Sequence, residues 1–171
     1  MFTEDPDILK RLAYMRNFGH AGPEVFAGVG INGKNSEFHA AMGLCNFKYI
    51  DDILLRRKEL CNHYDSVLKN LDITRPVVKN ADNYNYSYYP IIFPTEEKLL
   101  KAVESLNRNK IYPRRYFYPT LSTLNYVKKT ATLPIVDSIA PRILCLPLYH
   151  TLSKAEIQMI ARLLLRAQNY G

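Results

Sequence analysis

The chain has 171 residues, 47% of them apolar, and a formal net charge of +7. This length and composition allow one domain with a buried core and exclude a disordered tail. The positive charge favours an anionic partner, namely nucleic acid, a membrane surface or a phosphorylated metabolite. The chain has thirteen tyrosines and no tryptophan. Tyrosine is typical of surfaces that are partly buried and partly exposed to solvent, such as clefts and interfaces.

The first half of the sequence predicts two helical segments around a glycine-rich loop. A short helix is expected at about 7–16, and an irregular loop at 17–34 holds five of the seven glycines. A second helix begins near Asn35 or Ser36, either of which can cap it, and its apolar spacing continues to residue 71. Because this is longer than most globular helices, we expect a bend near residues 46–51.

The second half predicts strands and helices in alternation. A strand is expected within 84–94, then a helix from Thr95, an extended segment at 110–119, a loop at 119–134 and a strand within 142–149 that ends at Pro147. The helix after Thr95 and the last helix should each bury one apolar face. The residues expected on these faces are Leu99, Leu100, Val103 and Leu106, and Ile157, Ile160, Ala161 and Leu164. Ser153 and Glu156 predict a capping box for the last helix.

These elements predict an α+β fold, a short and mainly antiparallel sheet with helices on one face, joined to a long linking helix. We expect three parts: residues 1–34 as the remnant of a larger domain with its loop, residues 35–71 as the linking helix, and residues 72–171 as a small α+β domain. The glycine loop and the abrupt start indicate the back end of a larger protein. A start without an apolar leader and three unpaired cysteines predict a cytoplasmic protein.

The stretch GINGKNSEFHAAMG, from Gly30, is the first candidate site. Backbone N–H groups of a glycine-rich loop before a helix bind anions well, and the helix dipole helps. The stretch matches neither common phosphate-loop pattern, and no strand precedes it. Two interpretations stay open on local physics: an anion site, or a plain loop and helix cap.

The stretch YPRRYFY, from Tyr112, is the second candidate. Two arginines between aromatic side chains can clamp a phosphate and stack a base or a sugar. The alternative is a strand with a solvated basic face. Sequence patterns typical of nucleic-acid-binding folds are missing, so no nucleic-acid partner is predicted. Neither His20 nor His39 has a partner at metal-ligand spacing, and no metal site is predicted.

Several longer stretches together resemble a known family. They are DPDILKRLAYMRNFGH, GINGKNSEFHAAMGLCNFKYI with the helix after it, IYPRRYFYPTL, and LPIVDSIAPRILCLPLYH with the final helix. In this order they resemble the C-terminal part of the DegT-type aminotransferases, enzymes of fold type I. That resemblance implies pyridoxal phosphate (PLP) as cofactor and a nucleotide-linked keto sugar as substrate. YPRRYFYP is similar to members that aminate C4 of a TDP-4-keto-6-deoxyglucose.

The resemblance also implies roles for single residues. Asn32 would bind the PLP phosphate of a neighbouring subunit in a homo-oligomer, assisted by Lys34, where the family often has arginine. Tyr116 and Tyr118 would lie near the sugar, and Arg115 and His20 are predicted as further substrate contacts.

No catalytic residue is assigned in this chain. The resemblance implies that the lysine that binds the cofactor covalently lies in an S-F-x-x-x-K context, and none of the twelve lysines here does. We therefore expect part of a nucleotide-sugar aminotransferase of surface polysaccharide (lipopolysaccharide) biosynthesis, inactive and without bound cofactor as this chain alone. The alternative is a non-catalytic module that binds a nucleotide sugar or a partner protein.

Overall fold

The computed structural model describes residues 3–34, 36–78, 84–128 and 133–170. The chain divides into two compact units, Met1–Lys48 with Pro119–Leu133, and Tyr49–Tyr118 with Pro134–Gly171. The helices and strands are α1 (Pro6–Met15), β1 (His20–Gly22), β2 (Val25–Phe26), α2 (Glu37–Phe47), α3 (Ile50–Val67), β3 (Tyr89–Ile92), α4 (Glu96–Arg108), α5 (Pro134–Ile139), β4 (Ile143–Leu146) and α6 (Lys154–Tyr170), with 3₁₀ turns at Leu121–Thr123 and Ala140–Arg142. The predicted α+β class is confirmed. The division at residues 34 and 71 stays a prediction.

A short antiparallel sheet lies at the centre of the second unit. Strands β3 and β4 pair Tyr89 with Leu146 and Ile91 with Leu144, and all four side chains are buried. Successive residues of a strand point to opposite faces, so these four line one face and form part of the core. Isolated bridges extend the sheet on both sides, Thr74 to Ile92 and Arg114 to Cys145. The extended segment predicted at 110–119 therefore pairs with β4 only at Arg114.

Helices α3, α4 and α6 supply the rest of this core. In α6 the predicted inner face is confirmed, because Ile157, Ile160, Ala161 and Leu164 are all buried. In α4 the prediction for Leu100 is wrong, since 49% of this residue is exposed. Ala102 is buried instead. The α4 face is centred on Leu99 and Leu106, and Leu100 lies outside it.

The long helix predicted from residue 36 to residue 71 is wrong in two respects. It is interrupted at Lys48 and Tyr49, inside the predicted bend region, so two helices replace one. The second of them ends at Val67, although Leu68 and Leu71 remain buried in the turns that follow. The apolar spacing thus continued past the helix end because the turn also packs on the core. The predicted start is confirmed at Ser36, the N-cap position of α2, but the Ser36 hydroxyl makes no capping hydrogen bond and lies 2.9 Å from His39 Nδ1 instead. Asn35 lies outside the described residues.

Both predicted loops contain secondary structure. In 17–34 the strands β1 and β2 pair as a short antiparallel hairpin. In 119–134 the chain forms a 3₁₀ turn at Leu121–Thr123, and α5 begins at Pro134, while residues 129–132 lie outside the described part. Such short elements escape sequence patterns, because two or three residues show no periodicity.

The start of α6 has the predicted capping box. The Ser153 hydroxyl accepts from the Glu156 amide at 3.2 Å, and the Glu156 carboxylate accepts from the Ser153 amide at 2.7 Å. These bonds favour the charged carboxylate and lower the pKa of Glu156. The box satisfies donors that a helix start leaves without partners, which defines where the helix begins. Across the described ranges, no helix combines the length and apolar character that membrane crossing requires.

Candidate functional site

The glycine-rich loop of the first unit is tied to the end of α1 by backbone hydrogen bonds. The Ile31 amide donates to the Met15 carbonyl at 2.7 Å, and the Gly33 amide donates to the Arg16 carbonyl at 2.9 Å. An isolated bridge joins Asn17 to Asn32. The segment that carries Asn32 is therefore held beside the last turn of α1.

Two glycines allow this closure. Gly19 has a φ of +84°, and a Cβ there would lie 1.8 Å from the Gly28 carbonyl oxygen. A Cβ on Gly30 would lie 2.2 Å from the Gly19 nitrogen and 2.6 Å from the Met15 carbonyl oxygen. No other residue fits at either position without moving backbone, because the atoms it would meet belong to the main chain.

Lys34 and Asn32 present polar groups on this loop. The Lys34 ammonium donates to the Asn17 side-chain oxygen at 2.6 Å and lies 4.8 Å from the centroid of the Phe18 ring. Within the described ranges, Lys34 has no carboxylate partner, so its positive charge is not neutralised. Asn32 is exposed. Together they display one cation and one carboxamide two residues apart in sequence, a set of donors suited to an anion.

His20 lies in the hairpin of the same unit. Its Nδ1 is 3.2 Å from the Gly22 carbonyl oxygen, which can only accept, so Nδ1 is the donor in this contact. The ring packs against Phe26 with centroids 4.3 Å apart. Phe18 contacts two of the predicted site residues of this unit, since its ring lies under the Lys34 ammonium and also packs edge-on against His20.

The other predicted contacts belong to the second unit, where Arg115 and Tyr118 lie together. The Arg115 guanidinium donates to the Glu96 carboxylate at 2.7 Å and to the Pro141 carbonyl at 2.8 Å. It also stacks 3.6 Å from the centroid of Tyr118. The side chain is only 11% exposed. Arg115 therefore anchors the Tyr118 ring to the first turn of α4.

Tyr116 has different neighbours. Its hydroxyl accepts a hydrogen bond from Arg114, and its ring meets Tyr88 edge to face with centroids 5.3 Å apart. Sequence reasoning had noted Arg114 only as one of the two arginines of YPRRYFY, and it had singled out neither Tyr88 nor the Asn17 oxygen that holds Lys34. Strand alternation was a usable signal for Arg114, because it puts residues 112, 114 and 116 on one side.

Across the ranges that the structure covers, no cluster of three His, Cys, Asp or Glu side chains is arranged to hold a metal ion. The buried thiols of Cys61 and Cys145 are unreactive, because burial raises the pKa of each to about 11.

The sequence profile of the DegT/DnrJ/EryC1/StrS aminotransferase family matches residues 1–165. The chain belongs to this family. The resemblance predicted from the sequence motifs is thereby confirmed, and enzymes of the family are PLP-dependent.

Several curated relatives of this DegT-type chain are sugar transaminases. A dTDP-4-amino-4,6-dideoxy-D-glucose transaminase of Escherichia coli is 35% identical over 96% of this chain and 47% of its own length. The Shigella dysenteriae protein of the same name is 29% identical over 90% of this chain and 44% of its own length. The chain thus spans about half the length of the curated relatives it matches.

Solved structures agree on the fold. The crystal structure of DesI in the presence of its TDP-sugar product has a TM-score of 0.67 and 26% identity, covering 98% of this chain and 44% of that one. A PLP-dependent aminotransferase structure from Bacillus cereus has a TM-score of 0.64 and 27% identity, covering 95% of this chain and 45% of that one. The predicted small domain of a fold type I aminotransferase is confirmed.

Proposed function

We propose that this DegT-type chain supplies the small domain and the phosphate-facing loop of a transaminase that acts on a nucleotide-linked 4-keto-6-deoxy sugar. The observation that carries the proposal is the loop at 17–34, which is closed by two glycines and displays Asn32 and Lys34. The Escherichia coli relative, a dTDP-4-amino-4,6-dideoxy-D-glucose transaminase, supports the choice of a 6-deoxy sugar and of its carbon 4. From the same family resemblance we propose that the amination takes place in the cytoplasm. Its product would be used in surface polysaccharide biosynthesis.

The groups present on the loop fit the PLP phosphate. A phosphate dianion needs donors and positive charge, and the loop offers the Asn32 carboxamide and the Lys34 ammonium without an acidic side chain bound to either in the part of the chain described. Bound PLP supplies an electron sink for the carbanion that transamination requires. We propose that Asn32 and Lys34 hold the phosphate and do no proton transfer themselves.

We assign Tyr116 and Tyr118 as contacts to the sugar ring of the substrate. Arg115 takes part by holding Tyr118, since its guanidinium stacks on that ring and is tied to Glu96. His20 is assigned a polar contact through Nε2, the ring nitrogen that does not bond to the Gly22 carbonyl.

The proposed activity needs a lysine that the 171 residues do not offer in the matching sequence context. We therefore expect no transamination of a dTDP-4-keto-6-deoxyhexose with glutamate by this chain alone. Mixed with the lysine-bearing part of the Escherichia coli relative, it should restore turnover and PLP binding. The measurement is product formation by chromatography, with PLP uptake followed by its visible absorbance.

Variants of the loop make this experiment specific. In the reconstituted enzyme, Asn32→Ala and Lys34→Ala should each weaken PLP binding about tenfold, since each removes a hydrogen bond to a charged phosphate. Lys34→Arg should retain binding, and Lys58→Ala, which removes an exposed lysine of α3, is the matched control. Turnover by the chain alone, or PLP binding that none of the loop variants changes, would contradict the proposal.

A homo-oligomer is the second part of the proposal. Helix α2 has no buried residue in its described length, and Phe38 is 87% exposed, Leu44 75% and Phe47 73%. An apolar helix surface of this kind is typical of an interface, because soluble monomers rarely leave one uncovered. The loop that carries Asn32 runs directly into this helix, as expected if a loop crosses to a neighbouring subunit.

We expect the chain to sediment as an oligomer at micromolar concentration, and Phe38→Ser with Phe47→Ser to shift it towards monomer. Val77→Ser is the control, since Val77 is 90% exposed but lies outside α2. Analytical ultracentrifugation measures the shift. A monodisperse monomer of the unaltered chain would exclude self-association through α2.

A further inference from the structure

Phe18 has a strained backbone at the point where the glycine loop leaves α1. Its φ is +58°, a region that only two other non-glycine residues of the described chain adopt. An aromatic residue is disfavoured there, because its Cβ crowds the following carbonyl, and glycine or asparagine is the usual occupant. Such strain is found most often at functional sites. The Phe18 side chain is 48% exposed, so core packing does not explain why phenylalanine stands here.

The Phe18 ring and the neighbouring Asn17 side chain both hold the Lys34 ammonium. The ammonium lies 4.8 Å from the ring centroid, within the range of a cation–π contact. It also donates to the Asn17 side chain at 2.6 Å, and because an ammonium can only donate, the atom of Asn17 that it meets is the oxygen. We call Asn17 and Phe18 together the Lys34 seat.

The Lys34 seat holds a cation without neutralising it. An ammonium offers more than one N–H donor, and Asn17 accepts from one of them. A carboxylate at position 17 would pair with the ammonium and cancel its charge, whereas the asparagine carboxamide is neutral. The backbone of Asn17 also forms a bridge with Asn32, so one residue contacts both residues that the proposed function assigns to the phosphate. Lys34 is thereby ordered before a ligand arrives, which lowers the entropy cost of binding.

We propose that Asn17 and Phe18 are positioning residues, which hold the Lys34 ammonium in place and leave its charge and remaining donors to a phosphate group. The inference rests on the proposed function for the phosphate ligand. It adds the two residues that order the cation and the requirement that position 17 is neutral. The strain at Phe18 follows from this role, since a residue that favours the left-handed backbone, such as asparagine, brings no ring to Lys34.

The first test is nuclear magnetic resonance on the full 171-residue chain with labelled lysine side chains. The ε-methylene protons of Lys34 should lie upfield of those of the exposed Lys58, because the ring current of Phe18 shields them. Phe18→Asn should abolish this shift and leave the Ile31 amide protected from exchange, since asparagine tolerates the left-handed backbone. Phe18→Tyr is the matched control, because it keeps a ring and should keep the shift.

The second test is a titration of the same chain with inorganic phosphate, followed through the side-chain amide signal of Asn32. Asn17→Ala frees the ammonium and should weaken phosphate binding about three- to tenfold, the cost of ordering one long side chain. Asn17→Asp should keep the upfield shift of Lys34 and weaken binding at least as much, because the carboxylate pairs with the ammonium. Phe18→Tyr should bind phosphate as tightly as the unaltered chain.

Three results would overturn the inference: no upfield shift of Lys34, no phosphate binding by the unaltered chain, or unchanged phosphate binding by Asn17→Asp. The proposed function is judged separately, by the loss of PLP binding that Asn32→Ala and Lys34→Ala cause in the reconstituted enzyme. If that loss is observed while one of the three results is obtained, the proposed function stands and only the role of the Lys34 seat is refuted.

Discussion

The Gly19→Ala variant is expected to open the loop that carries Asn32 and Lys34. A left-handed backbone costs alanine about 1–2 kcal/mol, and forcing a methyl group into a packed site costs about 1–3 kcal/mol more. The added Cβ would meet the Gly28 carbonyl oxygen at 1.8 Å, so main chain must move. Hydrogen exchange of the Ile31 amide, which is bonded to the Met15 carbonyl in the closed loop, should accelerate about thirtyfold or more.

Two further glycine variants make the result interpretable. Gly30→Ala should have a similar effect, since its Cβ would lie 2.2 Å from the Gly19 nitrogen. Gly43→Ala is the control, because nothing lies within 4 Å of the added methyl group and alanine favours a helix by about 0.5–1 kcal/mol. An Ile31 amide that stays protected in Gly19→Ala would show that the loop closes in another way. In the reconstituted enzyme, the same two loop variants should weaken PLP binding.

Replacing Tyr64 by alanine should destabilise the second unit by about 3–5 kcal/mol, the cost of removing a large buried aromatic side chain. Tyr64 is fully buried on α3, stacks on Tyr89 with centroids 4.5 Å apart, and donates to the Pro147 carbonyl at 2.8 Å. Burial raises its pKa, so the hydroxyl remains a donor. Urea unfolding followed by circular dichroism, with hydrogen exchange in α3, measures the loss.

Tyr64→Phe separates packing from hydrogen bonding. It keeps the ring stacked on Tyr89 and leaves the Pro147 carbonyl without its donor, which should cost about 1–3 kcal/mol. Tyr170→Ala is a control for the loss of a tyrosine as such, since Tyr170 is 86% exposed. If Tyr64→Ala unfolds within about 1 kcal/mol of the unaltered chain, Tyr64 does not join α3 to the sheet.

The helices were the part of the fold that the sequence predicted best. The inner face of α6 and its capping box were both correct, because periodicity and capping are local and each is repeated or reinforced within a few residues. The strands were predicted too long. Within 84–94 only Tyr89–Ile92 pairs, since strand length depends on where the partner strand lies as well as on composition.

For the candidate site, the sequence identified some of the residues but not the distant residues that hold them. The family motif drew attention to Asn32 and Lys34, and the loop does present both. Of the two adjacent arginines, it assigned only Arg115 as a substrate contact and gave Arg114 no role of its own. Their difference lies in Glu96, nineteen residues earlier in the chain, which pairs with Arg115 alone. The Asn17 oxygen that holds Lys34 is likewise seventeen residues distant.

By itself the sequence determined the fold class, the buried face and capping box of the C-terminal helix, and the family, all of which are encoded in short spacings or ordered motifs. Only the tertiary structure decided the hairpin in the glycine loop, the break at Lys48, the exposure of Leu100 and the different surroundings of the two arginines. These four features depend on contacts between segments that are far apart in the sequence. Local residue order does not determine such contacts. Packing and long-range pairing select among alternatives that the local pattern leaves equal in energy.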